Sequence, residues 1–209
     1  ARVVMIPLNA TSSSVAGLLA QNTAAGQQVF ALDYERGALD PDRQVRALLL
    51  WSGKLVERWR FHGVFVEVYR LADAVSLPKC DPVQPACTVD GDVCLEGAAV
   101  ARAPLSGGAM PVRLCWGATG SVPPHSIAVR LMSPSGALVA VESALSLDRV
   151  VDEGVQVTQE FESSDSGAWT MTSYHVLQLP VGLLAQPYRL EVGLFEPGNG
   201  GRSLDLVSG

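Results

Sequence analysis

The sequence predicts an α+β chain in two parts: a small α/β unit, then an antiparallel β-sandwich of jelly-roll or immunoglobulin-like type. Three observations carry this prediction. Up to about residue 75, short β-branched runs alternate with segments whose apolar residues recur at helical spacing. Residues 76–93 form a linker in which Cys80 and Cys87 stand among Pro78, Pro82 and Pro85. From Cys94 to the end, turn signals recur every eight to fifteen residues and helical periodicity is missing. The expected division is therefore 1–75, 76–93 and 94–209.

In the first unit, Arg2 to Ile6 is a β-branched run ended by Pro7, which suits a buried strand. A helix follows, because Thr11 or one of Ser12 to Ser14 can accept from its free N–H groups, Val15, Leu18 and Leu19 form a stripe, and Gly26 stops it. Gln28 to Tyr34, with Val-Phe-Ala-Leu inside it, reads as a second buried strand. Asp40-Pro41 then starts a helix, with the aspartate as cap and the proline in the first turn, and Val45, Leu48 and Leu49 line one face until Gly53. Leu55–Phe61 and Val64–Leu71 are two further strands joined by a tight turn at His62-Gly63.

In the second domain, the stretch from Gly97 to Ala109 reads as a weak strand and a loop. Val112, Leu114 and Trp116 alternate with Arg113, Cys115 and Gly117, so the first trio points into a core. Ile127, Val129 and Leu131 repeat the pattern, and Ser133-Pro134-Ser135-Gly136 turns that strand into Ala137 to Val141. Tyr188, Leu190, Val192 and Leu194 face inward on a late strand, and Asn199-Gly200-Gly201 leads to a last one with Leu204 and Leu206.

Composition narrows the function. Only 17% of residues are charged and 48% are hydrophobic, which is the balance of a folded chain. The net charge of −6 and the scatter of the fifteen Lys and Arg make nucleic acid an unfit partner. No apolar run approaches the roughly 18 to 20 residues of a membrane-spanning helix, so a soluble fragment is expected.

Cys80, Cys87, Cys94 and Cys115 are disulfide candidates. Six residues separate each of the first two neighbouring pairs, unlike the tighter knuckle of a zinc site, so disulfides are preferred to metal and place the chain in an oxidising compartment. Four cysteines allow three connectivities. The expected one pairs Cys80 with Cys87, closing a small loop, and Cys94 with Cys115, tying the first sandwich strand to a neighbour.

The order of residues in the second domain is familiar. Val112-Arg113-Leu114-Cys115-Trp116 precedes Val129-Arg130-Leu131 and the Ser133–Gly136 hairpin; Trp169, Tyr174-His175-Val176-Leu177-Gln178-Leu179-Pro180 and Tyr188-Arg189-Leu190-Glu191-Val192-Gly193-Leu194-Phe195 follow. Gly201-Arg202-Ser203-Leu204 continues it. This order resembles the C-terminal β-sandwich of bacterial multi-spanning membrane glycosyltransferases of the dolichyl-phosphate-mannose protein mannosyltransferase-like group. Val29-Phe30-Ala31-Leu32-Asp33-Tyr34 with Asp40 is similar to a segment such transferases carry before the sandwich. The likeness departs at Gln186-Pro187, where a glycine is common, and at the cysteine-rich insert.

The resemblance implies an extracytoplasmic location on the outer face of a membrane or beyond it. It also implies partners: upstream membrane helices of the same parent chain, and a glycan or lipid-linked sugar. Catalysis in that family belongs to acidic residues near the first membrane helices, which this chain does not contain, so no residue here inherits the role. The expectation is a non-catalytic accessory domain of a membrane glycosyltransferase-like protein that positions acceptor or glycan. If the first unit docks against membrane helices, it should carry an exposed apolar patch.

Motifs for nucleophilic, metal or nucleotide chemistry are missing from the sequence, and neither cofactor nor metal is expected. His62, His125 and His175 lack a partner at telling spacing and read as solvated or satisfied side chains. The acidic stretch from Asp148 to Asp165 lacks the spacing of a calcium loop and reads as a solvated loop. Trp169, in a polar loop from Ser163 to Thr172, and Tyr174 are the candidates for ligand binding, because sugars stack on exposed rings. They support the alternative of a stand-alone carbohydrate-binding module. A structural or adhesion β-sandwich that captures protein through a strand edge is a third.

Overall fold

The computed structural model describes residues 3–6, 11–34, 43–88, 93–101, 108–119, 126–146, 162–163, 168–195, 203–204 and 207–208. The chain divides into two compact units, Ala1–Lys79 and Cys80–Gly209. Both are built on antiparallel sheets, and among the described residues the two helices lie in the first, so the chain is α+β.

In the first unit, helix α1 (Ser12–Asn22) starts at Thr11, whose side chain accepts from the Ser14 N–H. The helix ends before Gly26: Asn22 Nδ2 and Thr23 Oγ1 donate to the Leu18 and Leu19 carbonyls, which satisfies its last turn. Helix α2 (Gln44–Ser52) follows Arg43, which sits in the left-handed region at φ 55°; the Asp40-Pro41 start lies outside the described residues. Strands β1 (Gln28–Tyr34), β2 (Gly53–Phe61) and β3 (Val64–Leu71) form a sheet in the order β1-β3-β2. His62 and Gly63 both take positive φ between β2 and β3, the signature of a type I′ hairpin turn.

The predicted strand at Arg2–Ile6 is not formed over residues 3–6, the part of it that is described. Residues 3–6 belong to no strand; Val3 and Met5 are exposed and Ile6 alone packs on the core. Among the described residues of this unit every strand pairing is antiparallel.

Both helices cover one face of this sheet. Val15, Leu19, Leu48 and Leu49 pack with Tyr69, Leu71, Val29, Ala31 and Leu55. Gly53 is required where α2 runs directly into β2, since a Cβ there would lie 2.3 Å from the Arg70 carbonyl oxygen. One irregularity then changes the sheet. Leu55 pairs with Tyr69 and Glu57 with Val68, so Val56 is an extra residue. A bulge of one residue turns every later side chain to the opposite face. Leu55 points to the helices, while Trp59 and Phe61 point away from them.

In the second unit, one sheet runs β13-β4-β5-β6-β10-β9 and the other β12-β11-β7-β8. Their ranges are β4 (Asp81–Cys87), β5 (Val93–Val100), β6 (Ala109–Thr119), β7 (Ser126–Met132), β8 (Leu138–Ser146), β9 (Glu162–Ser163), β10 (Ala168–Gln178), β11 (Arg189–Phe195), β12 (Ser203–Leu204) and β13 (Val207–Ser208). The two sheets share one core: Val93, Val112, Leu114, Trp116 and Leu177 from the first, Ile127, Val129, Leu131 and Leu194 from the second. The inward alternation of β6, β7 and β11 matches the sequence pattern. The turn at Ser133–Gly136 is closed by Ser133 Oγ, which accepts from the Ala137 N–H.

Two sequence expectations are corrected here. The segment 76–93 is not simply a linker, because β4 lies inside it and joins the larger sheet. The disulfide pairing also differs: Cys80 bonds to Cys115 and Cys87 to Cys94. The strand register explains it. Cys87 and Cys94 are direct partners across β4 and β5, with Cα atoms 4.0 Å apart. Cys115 on β6 lies opposite Gly97 of β5. A Cβ at Gly97 would come within 3.0 Å of the Cys80 Cβ, so the missing side chain lets Cys80 cross β5 and reach β6.

These bonds secure a strand that its backbone holds weakly. Pro82 and Pro85 have no N–H to donate, and the β4–β5 ladder is interrupted between Pro82 and Ala86. Covalent links stand at both ends of that interruption.

Candidate functional site

The face of the first sheet that the helices leave bare is the candidate site. β3 contributes Val64, Val66 and Val68 to it; β1 contributes Phe30 opposite Val68 and Leu32 opposite Val66; β2 contributes Trp59 opposite Val66, Phe61 opposite Val64 and one exposed carboxylate, Glu57, opposite Val68. Phe30 is 59% exposed, Leu32 60%, Trp59 47% and Phe61 69%. Scattered apolar residues on a surface are ordinary, but four adjacent on one face form a patch of the kind that marks an interaction surface. At the other end of the same face, Lys54 and Arg70 stand directly opposite each other, both exposed, with Gln28 completing the row.

The apolar run of β1 reads as a strand buried on both sides, and the sequence does not mark the bulge in β2, so neither strand points to this face. A usable signal was present: Arg58-Trp59-Arg60-Phe61 alternates charge with ring, as a half-exposed strand does.

The helix-covered face carries a polar cluster instead. The Glu67 carboxylate accepts from the Tyr69 hydroxyl, and its Oε1 lies 3.2 Å from Arg58 Nε and 3.6 Å from Arg46 Nη2. Arg58 also stacks over the Phe65 ring, 4.2 Å from its centroid. Burial first, and then the neighbouring Glu67 charge, hold the Tyr69 hydroxyl far above the ordinary phenol range. The cluster ties α2 to β2 and β3 and is closed to solvent at Glu67 and Tyr69.

In the second unit, the expected binding residues separate. Tyr174 is only 1% exposed, so it offers no ring face to a sugar; its ring lies 5.9 Å from the Arg113 guanidinium. Trp169 falls on β10 opposite Ala118, in a strand rather than the expected loop, and its side chain lies outside the described residues. The acidic stretch is largely outside them as well, as is His125.

His175 and Ser173 come together on the core side of β10. Ser173 Oγ accepts from Trp116 Nε1–H at 3.0 Å and lies 3.1 Å from His175 Nε2. This serine and histidine are sealed in the core, beyond the reach of a substrate, so the pair serves packing and not catalysis. Among the described residues no three His, Cys, Asp or Glu are grouped to hold a metal, and no helix is long and apolar enough to cross a membrane.

The fold and this surface together define a two-unit, disulfide-stapled β-rich chain with an apolar sheet face. Comparison with protein-family models, curated proteins and solved structures finds no match to it.

Proposed function

We propose that the chain is a non-catalytic extracytoplasmic accessory region of a membrane glycosyltransferase-like protein, with its first unit next to the membrane. The observation that carries this reading is the bare apolar sheet face of Phe30, Leu32, Trp59 and Phe61, a surface that water alone leaves unsatisfied. Two disulfides agree with an oxidising compartment. The residue order from Val112 to Leu204 supplies the link to glycosyl transfer, and on that reading the acceptor glycan or a lipid-linked sugar is the partner held near the parent enzyme.

For the second unit we favour the immunoglobulin-like type over the jelly roll. Reading β5 to β12 as strands A, B, C, C′, D, E, F and G gives the order A-B-E-D in one sheet and G-F-C-C′ in the other. β4 and β13 extend the first sheet beyond its A strand. A carbohydrate-binding module is less favoured, since burial of Tyr174 leaves it only Trp169.

The test is the reading frame upstream of Ala1. A block of membrane-spanning helices there supports the proposal; a secretory signal cleaved just before Ala1 overturns it.

A further inference from the structure

We infer that the bare sheet face of the first unit seats on the surface of a bilayer containing anionic phospholipid, with the β2–β3 hairpin end deepest. The inference rests on the reading that this unit lies next to a membrane. Its apolar part is the hairpin end: Trp59 and Phe61 on β2, with Phe30 and Leu32 across the sheet on β1, all exposed. Aromatic rings with an apolar body are the side chains that settle at the boundary between acyl chains and headgroups.

The opposite end of the face supplies the charge. Lys54 and Arg70 are direct cross-strand partners, and like charges so placed repel each other; Glu57, exposed on the same face opposite Val68, offsets one of the two charges and leaves the face a net positive one. Neither is in an ion pair among the described residues. A phosphate over the pair removes that repulsion, because an arginine fork and an ammonium can share its oxygens. From Val64 to Arg70 the strand runs about 20 Å at the usual rise. An inclined seat therefore brings the rings to the acyl boundary while the two cations meet the phosphates.

The charge balance of the chain points the same way. Residues 1–79 hold nine Lys and Arg against seven Asp and Glu, a net +2, whereas residues 80–209 hold six against fourteen, a net −8. An anionic bilayer thus attracts the unit that carries the apolar face and repels the other.

The experiment is co-sedimentation of the purified 209-residue chain with vesicles of phosphatidylcholine alone or mixed with phosphatidylglycerol, together with sedimentation velocity without vesicles. The expected result is binding to the mixed vesicles that weakens with salt. It should fall at least about tenfold in Trp59→Ser/Phe61→Ser, from lost ring burial, and similarly in Lys54→Glu/Arg70→Glu. All four side chains are exposed, so unchanged circular dichroism is expected and separates lost binding from lost folding. Equal binding to both vesicle types, no binding, or a dimer abolished by Trp59→Ser/Phe61→Ser overturns the inference. The functional reading fails separately: membrane helices encoded upstream with no vesicle binding leave it standing, and vesicle binding with no such helices leaves only the lipid seat.

Discussion

At the scale of single residues, two buried side chains decide whether their polar neighbours are satisfied. Ser173 is the acceptor for the Trp116 indole N–H inside the core of the second unit. Ser173→Ala should cost about 1–3 kcal/mol, the cost of leaving a buried donor unpaired. Urea denaturation reads this, and combining it with Trp116→Phe should cost less than the sum of the two, because the donor is then gone. Tyr69 offers a pH test. Its folded hydroxyl is held above its unfolded value of about 10, so its contribution is complete below about pH 10 and is lost as pH rises beyond it. The melting temperature of the first unit should fall from pH 10 upward, and less steeply in Tyr69→Phe.

At the scale of elements, the strands with clean alternation were legible and those with an irregularity were not. Val64–Leu71 and the inward trio of β6 were readable because a period of two needs only local sequence; Gln28–Tyr34 is a strand as its apolar run predicts, but Phe30 and Leu32 on it are exposed rather than buried. β4 was not readable, because Pro82 and Pro85 argue against a strand, and one of the two disulfides that hold it, Cys80–Cys115, joins residues 35 positions apart. The bare face escaped for a related reason. Val56 inserts one residue, and nothing in the apolar pattern marks where alternation changes face. The cysteine pairing hinged on Gly97, whose role appears only once β5 lies between Cys80 and Cys115. Gly97→Val should therefore block the Cys80–Cys115 bond while Cys87–Cys94 still closes. Peptide mapping of unreduced protein detects the difference, and stability should fall by about 2–5 kcal/mol.

At the scale of the whole molecule, the two units are stabilised by different means. All four cysteines belong to the second unit, and the first relies on its helix-covered core and the Glu67 cluster. Chain-entropy arguments assign about 4 kcal/mol to Cys80–Cys115 and about 2 kcal/mol to Cys87–Cys94. Calorimetry with added reductant should then lower the transition of the second unit and leave that of the first in place. The position of Cys80 has a mechanical consequence too. Tension arriving through the first unit enters the second at this residue and passes through sulfur directly into β6, inside the larger sheet. The 35-residue separation spanned by the bond cannot be drawn out, which withholds about 120 Å of slack from a stretched chain. Pulled from its N-terminal side, the oxidised second unit therefore behaves as a short, stiff tether, and reduction turns the same segment into an extensible one.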